Sequence, residues 1–300
     1  MLGAAPATPG FWDWSPDPPL ALLVALAALY RIGGRRTFTP ARTAPSQRRR
    51  SAAFYAALLV LAIALASPLD KLSEELFWAH MVQHVLLMLV AAPLLVVGRP
   101  WIRLWRSLPL SARRRLASTF LHGRRAAVLR AISRTLGSPA AGLALFSAVL
   151  LAWHVPALFD ATLSSGALHA LEHTLFFATA VLLFKQVIDS APLRARMNDT
   201  QRLLYVVAAM TVSWVLAVVL ALAPSPLYPH YAQLASRPGG ISALADQQLA
   251  AGVMWVPGSI TFMIIIFVYV HRWLAPQAPG PTSSRPPAGP GGRELGGANA

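Results

Sequence analysis

Five histidines carry the chemistry in this chain of 300 residues: His80 with His84, His169 with His173, and His154. The first four form two HxxxH spacings, and on a helix such a spacing puts two imidazoles one turn apart on one face. Both pairs lie in apolar runs of membrane length, residues 78–100 (WAHMVQHVLLMLVAAPLLVVGRP) and 168–188. Ionisable or metal-binding groups are costly inside a bilayer, so paired ones there mark a functional site. Imidazole suits copper, zinc, iron and nickel. Glu172 adjoins His173 and is within a turn of His169, placed to ligate or to orient an imidazole from behind. Met81, Gln83 and Met88 are on or beside the His80/His84 helix, while Asp246 and Met254 bracket the outer start of a later apolar run. Asp246, like Glu172, is a carboxylate that can ligate or orient, and thioethers suit Cu(I).

Each of these residues also has a plainer reading. A single histidine in a membrane is often a hydrogen-bond partner between helices, methionines there usually pack, and Trp78, Trp153 and Trp255 fit an interfacial aromatic belt. Convergence favours a site: two HxxxH pairs and a fifth histidine fall at one depth, next to an acid. His122 and His271 on the inner side, and His230 in an outer loop, stand apart from that layer.

The elements that must position them follow from composition. The chain is 56% hydrophobic and 12% charged, with mean hydropathy +0.53, against a usual charged share of about a quarter in soluble domains. This is an all-α integral membrane protein. A formal charge of +15 would fit nucleic acid only if the basic residues shared one soluble face, and here they sit between apolar runs. The absence of cysteine excludes disulfides and thiolate metal sites.

Seven spans are expected, at 18–32, 52–67, 76–97, 140–158, 168–188, 203–222 and 250–270, the first two short for the roughly 20 residues a bilayer needs. Of the 26 basic residues, 24 fall on alternate segments, and Lys71 and Arg237 are the exceptions. Positive residues of short loops stay inside, so the N-terminus is expected outside and the C-terminus in the cytoplasm. On that topology His80 and His84 lie roughly 6 and 12 Å below the outer surface, His169 and His173 roughly 3 and 9 Å, and His154 about 8 Å.

The organisation expected is an outer N-terminal segment at 1–17, with Phe11, Trp12 and Trp14 at the interface, a seven-helix membrane domain at 18–272, and a disordered cytoplasmic tail at 273–300. Within the domain, the inner loop 101–137 reads as a basic amphipathic helix, its Leu116, Phe120, Leu121, Val128, Leu129, Ile132 and Leu136 alternating with arginine clusters. The outer loop 223–248, with Pro224, Pro226, Pro229 and Pro238-Gly239-Gly240, reads as irregular and as a lid over the outer face.

The strings HMVQHVLLMLVAAPLLVVGRP, WHVPALFDATLSSGALHALEHTLFF and ADQQLAAGVMWVPG resemble the signature segments of the CtaG family of cytochrome c oxidase assembly factors, the multi-span caa3 type. The likeness covers the third to seventh spans. It implies a multi-pass protein of the bacterial inner membrane that matures haem-copper oxidases of the respiratory chain through copper supply or insertion. It also implies oxidase subunits and an outer-side copper chaperone as partners. The family's polar set falls on His80, Gln83, His84, His154, Asp160, His169, Glu172, His173, Asp246 and Met254. The reading is a non-enzymatic factor holding copper on His80, His84, His154, His169 and His173. Gln83, Glu172, Asp160, Asp246, Met81, Met88 and Met254 would support or extend that set. The alternative is a haem protein with bis-histidine ligation. A retinal-type pigment lacks a lysine in the seventh span, Lys185 being at the inner end of the fifth, and a membrane hydrolase lacks an HExxH pattern.

Overall fold

The computed structural model describes residues 18–37, 43–121, 123–190 and 197–275, and leaves the side chains of 120–126 undescribed. The N-terminal segment with its aromatics, His122, the side chains of Phe120 and Leu121, and nearly all of the tail therefore lie outside the described residues. Among the described residues the fold is helical throughout, with no strand.

The helices run in the order α1 (Pro18–Arg35), α2 (Ala44–Ala66), α3 (Pro68–Glu75), α4 (Phe77–Val85), a π-helical turn (Leu86–Ala91), α5 (Ala92–Gly98), α6 (Trp101–Ser107), α7 (Leu110–Leu121), α8 (Gly123–Leu136), α9 (Pro139–Trp153), α10 (Pro156–Ser164), α11 (Gly166–Val187), α12 (Asp199–Leu222), α13 (Pro229–Ala232) and α14 (Ala243–Leu274). Five stretches are long and apolar enough to cross a bilayer: α2, the α4 to α5 stretch Phe77–Gly98, α11, α12 and α14. A sixth arises if Ala127–Leu136 and Pro139–Trp153, bent by 70°, make one span. The expected first and fourth spans correspond to α1 and α9, with 18 and 15 residues. At 1.5 Å per residue, α9 covers about 22 Å of a hydrocarbon core of about 30 Å.

Several boundaries differ from the expectation for local reasons. The fourth span was expected to reach residue 158, but α9 ends at Trp153 with His154 as its C-cap. Pro156 disfavours helical backbone at Val155, which is extended (φ −68°, ψ 124°). The second span begins earlier, at Ala44, because Arg48, Arg49 and Arg50 continue the helix. Residues 68–75, read as part of a loop, form α3, whose start is capped by the Ser67 hydroxyl accepting from Leu69 N–H at 3.2 Å. The inner loop is three helices rather than one amphipathic helix. On α7 and α8, Leu116, Val128, Leu129, Ile132 and Leu136 are exposed, as a face against lipid requires. The outer loop contains α13 and gives way at Ala243 to α14, capped by Ser242 accepting from Ala245 N–H.

Polar ties fix the bundle where apolar packing alone would let helices slide. Asp246 of α14 accepts from the backbone N–H groups of both Phe77 and Trp78 at 2.9 Å, closing the first turn of α4. Pro93 has no N–H for the carbonyl of Leu89, and the Thr261 hydroxyl of α14 donates to that carbonyl instead. At the other end of the bundle Arg202 donates to both oxygens of Asp189 at 3.0 Å and to Tyr269 Oη at 3.2 Å, joining α12, α14 and the end of α11. α6 folds back on α1 and α2: Arg103 donates to Ser51 Oγ at 3.0 Å and lies over the Tyr30 ring.

The α1–α6 crossing depends on Gly33. A Cβ there would fall 1.8 Å from the backbone carbonyl oxygen of Arg103, whereas at Gly34 it would meet only the Arg103 guanidinium, at 3.3 Å. Gly33→Ala is therefore expected to cost about 1–3 kcal/mol, the usual range for overpacking, and Gly34→Ala well under 1 kcal/mol because a side chain gives way where a backbone does not. Melting temperatures of the two variants in detergent check this; equal losses would contradict the close approach.

Candidate metal centre

Four side chains from two helices meet at one point. His80 and His84 project from α4, and Glu172 and His173 from α11, with one ligand atom of each lying within 4.8 Å of all the others. All four are buried, His80 and Glu172 completely. His80 Nε2 is 3.0 Å from His84 Nε2, and each of these nitrogens faces one oxygen of Glu172, at 3.6 and 3.7 Å. The residue spacing explains the meeting. Positions 80 and 84 share a face of α4 as 169, 172 and 173 share a face of α11, and the side chains meet where α11 packs along the π-helical turn and α5 that continue α4.

The aromatic surroundings keep water out. The ring of His80 lies 4.9 Å from that of Phe159, and His84 lies 4.5 Å from Phe176, both phenylalanines being fully buried. In such surroundings polar atoms almost always find partners. Here His173 Nε2 and both oxygens of Glu172 have none. Unpartnered buried donors and acceptors cost roughly 1–3 kcal/mol each, so a set pointing at one spot is a set made for an occupant. Three imidazoles and a carboxylate are the ligand chemistry of a borderline divalent or copper ion. Two nitrogens about 2.0–2.1 Å from one ion in tetrahedral geometry stand about 3.3 Å apart, close to the 3.0 Å between His80 and His84. The residues fit a metal.

Hydrogen bonds behind the cluster set the tautomers. The Tyr231 hydroxyl donates to the carbonyl of Ser73, leaving its oxygen to accept from His80 Nδ1 at 3.3 Å. His80 therefore carries its proton on Nδ1 and turns a lone pair on Nε2 toward the cluster. His154 Nδ1 lies 2.7 Å from the Leu150 carbonyl, which can only accept, so His154 also presents a bare Nε2.

Not every expected residue joins the four. His169 and His154 are neighbours rather than members: the His169 ring is 4.2 Å from that of His173 and 5.1 Å from that of His80, and the His154 ring is 6.3 Å from that of His84. Glu172, expected behind the ligands or among them, is inside the cluster. Asp246 is elsewhere, because both of its oxygens are taken by the start of α4. Gln83 faces away, its Nε2 donating at 2.8 Å to Ala64 O and to Asp70 Oδ1 and so tying α4 to α2 and α3. Asp160 accepts from the backbone N–H of His230 at 3.4 Å and supports α13. Met81, Met88 and Met254 line a small cavity on the far side of His84. Sequence reasoning missed Tyr231 and Tyr228, which reach in from the loop between α12 and α14. Tyr228 donates to the carbonyl of His154 at 3.2 Å and packs on Phe77 and Phe159. Two tyrosines in a proline-rich loop read as interfacial residues, and only their burial, at 2% and 3% exposure, distinguishes them.

With this geometry in view, comparison with known proteins is informative at the level of family. The family model for the cytochrome c oxidase caa3 assembly factor (Caa3_CtaG) matches residues 26–275, and the chain belongs to that family. No curated protein and no solved structure matches.

The hydroxyl of Tyr231 touches no cluster atom except through His80, so it is a positioning group. Tyr231→Phe is expected to lower metal affinity about 10- to 100-fold, the usual effect of losing the partner behind a ligating imidazole, without displacing the protein from the membrane. Metal titration of the purified variant checks this, and wild-type affinity would remove Tyr231 from the site's support.

Proposed function

We propose that this oxidase assembly factor acts by handling copper: it takes the ion up at the outer end of its helix bundle, holds it on His80, His84, His173 and Glu172, and hands it to an oxidase subunit without turning over a substrate. The observation that carries this reading is the buried, converging and unpartnered donor set. A cargo ion must be bound firmly and yet released, and a site without thiolates serves both needs. Glu172 supplies the one negative charge facing the ion in an apolar region, where an uncompensated cation is costly. His169, half-buried and beside both His80 and His173, is placed as the first contact for an ion arriving from the outer side. An outer-side copper chaperone is the donor we envisage.

Haem is the weaker alternative. The four ligand atoms crowd within 4.8 Å, and the cavity beside them measures about 30 Å³, whereas ligand pockets of cofactor size run to roughly 300–1,000 Å³.

The topology we favour for this role is seven crossings, counting α1 and the short α9, with the N-terminus outside, in the inner membrane of a bacterium. It rests on the alternation of 24 of the 26 basic residues, and it puts the histidine layer on the outer side. In this cysteine-free chain a cysteine introduced at exposed Ser164 should react with an impermeant reagent from outside, and one at exposed Ser133 should not. The reverse pattern would invert the direction of copper flow.

The metal itself is tested by copper content in purified protein. Wild type should retain copper, and the His80→Ala/His173→Ala double variant should retain none. Glu172→Gln, which keeps the shape and removes the charge, should bind about 10- to 100-fold more weakly. Equal copper in wild type and the double variant would overturn the assignment.

A further inference from the structure

His84 faces two ways. Its Nε2 belongs to the cluster, while its Nδ1 has no hydrogen-bond partner, and its ring also lines a separate cavity of about 30 Å³. The other polar or polarisable residues around that cavity are Met81, Met88, Met254, His154 and Ser213. The Ser213 hydroxyl is committed to the Ala209 carbonyl at 3.2 Å. His154 is held by Leu150 with a bare Nε2, which has no partner either. The cavity is therefore walled by three methionines and by two histidines that each carry an unpartnered buried nitrogen, on α4, the π-helical turn, the C-cap of α9 and α14. Its volume exceeds the roughly 10–15 Å³ that one water-sized occupant needs, and leaves no room for anything much larger.

Thioether sulfur is a soft ligand that selects Cu(I) and has little affinity for divalent first-row ions beside imidazole and carboxylate competitors. The cluster on the other side of His84 offers the opposite chemistry, with three imidazole nitrogens and a carboxyl oxygen. We propose that the Met81/Met88/Met254 cavity is a second metal position, selective for a soft monovalent cation, and that His84 is shared between it and the first. This rests on the copper-handling reading and extends it. The chain then offers an ion two adjacent stations of different softness, with one imidazole as the common wall.

Methionine to leucine changes preserve volume and usually cost less than about 1.5 kcal/mol, so a Met81→Leu/Met88→Leu/Met254→Leu variant should fold. Detergent-purified protein would be loaded with Cu(I) under anaerobic reducing conditions and, in a parallel sample, with Cu(II). Copper X-ray absorption then reports the ligand atoms, and paramagnetic resonance reports the Cu(II) site. Wild type should show sulfur scatterers around Cu(I). The triple variant should lose them and at least one equivalent of bound Cu(I), with its Cu(II) spectrum unchanged. His154→Ala should weaken Cu(I) alone, and His84→Ala both ions. A nitrogen and oxygen shell without sulfur in Cu(I)-loaded wild type would mean that the cavity holds only water, and would overturn the second position while leaving the first intact. Sulfur-ligated Cu(I) in wild type that fails to hold Cu(II) would support the second position and overturn the first.

Discussion

The carboxylate of Asp246 holds the arrangement together. Leu76, at the N-cap position of α4, has no side chain able to accept from the first-turn N–H groups, and of the residues that carry them Phe77 is buried and Trp78 half-buried. Asp246 reaches across from α14 and satisfies two of them at once. A capping side chain is worth about 1–2 kcal/mol, and a negative group at a helix N-terminus is favoured further by the aligned peptide dipoles. The larger consequence is geometric. The cap fixes where α4 starts relative to α14, and so the depth and rotation at which His80 and His84 meet α11.

The rest of the site inherits that register. Two residues past His84 α4 widens into the π-helical turn, a feature often found at functional sites, and Pro93 then leaves the Leu89 carbonyl without its helical donor. Thr261, also on α14, supplies one. The histidine-bearing stretch is thus tied to α14 above and below. Gln83 ties its other face to α2 and α3. Because the backbone is pinned on all these sides, unpartnered imidazoles can be kept facing one another instead of rotating to satisfy themselves, which is how preorganised ligand sets are built.

The loop between α12 and α14 completes the enclosure. Tyr228 and Tyr231 are buried against Phe77 and Phe159, and through hydrogen bonds to His154 O, Ser73 O and His80 Nδ1 they connect the loop to both histidine environments. A loop so engaged is part of the site's wall. Membership of the oxidase assembly family gives this architecture its context, and the copper-handling role proposed above would need an ion screened from water by groups that can let it go.

Much of this was legible in the sequence, for reasons that can be named. Helical class followed from hydropathy, because a bilayer offers unpaired backbone groups no water and forces helices on apolar runs. The histidine layer followed from HxxxH spacing and from the cost of polar groups in lipid, and the family from three motifs at fixed separations. Local chemistry set some boundaries too, such as the end of α9 before Pro156. Only the tertiary structure decided which residues share a ligand point. Glu172 enters the cluster while His169, equally well spaced, stays beside it, because His169 lies about one turn nearer the start of α11, an axial offset that matters only once α4 is in place. Asp246 became a cap and Gln83 a tie because their partners lie 169 and 19 residues away in the chain. The tyrosines of the loop were invisible for the same reason. Residue type and local spacing specify what a side chain can do, and the contacts between distant segments specify which of those things it does.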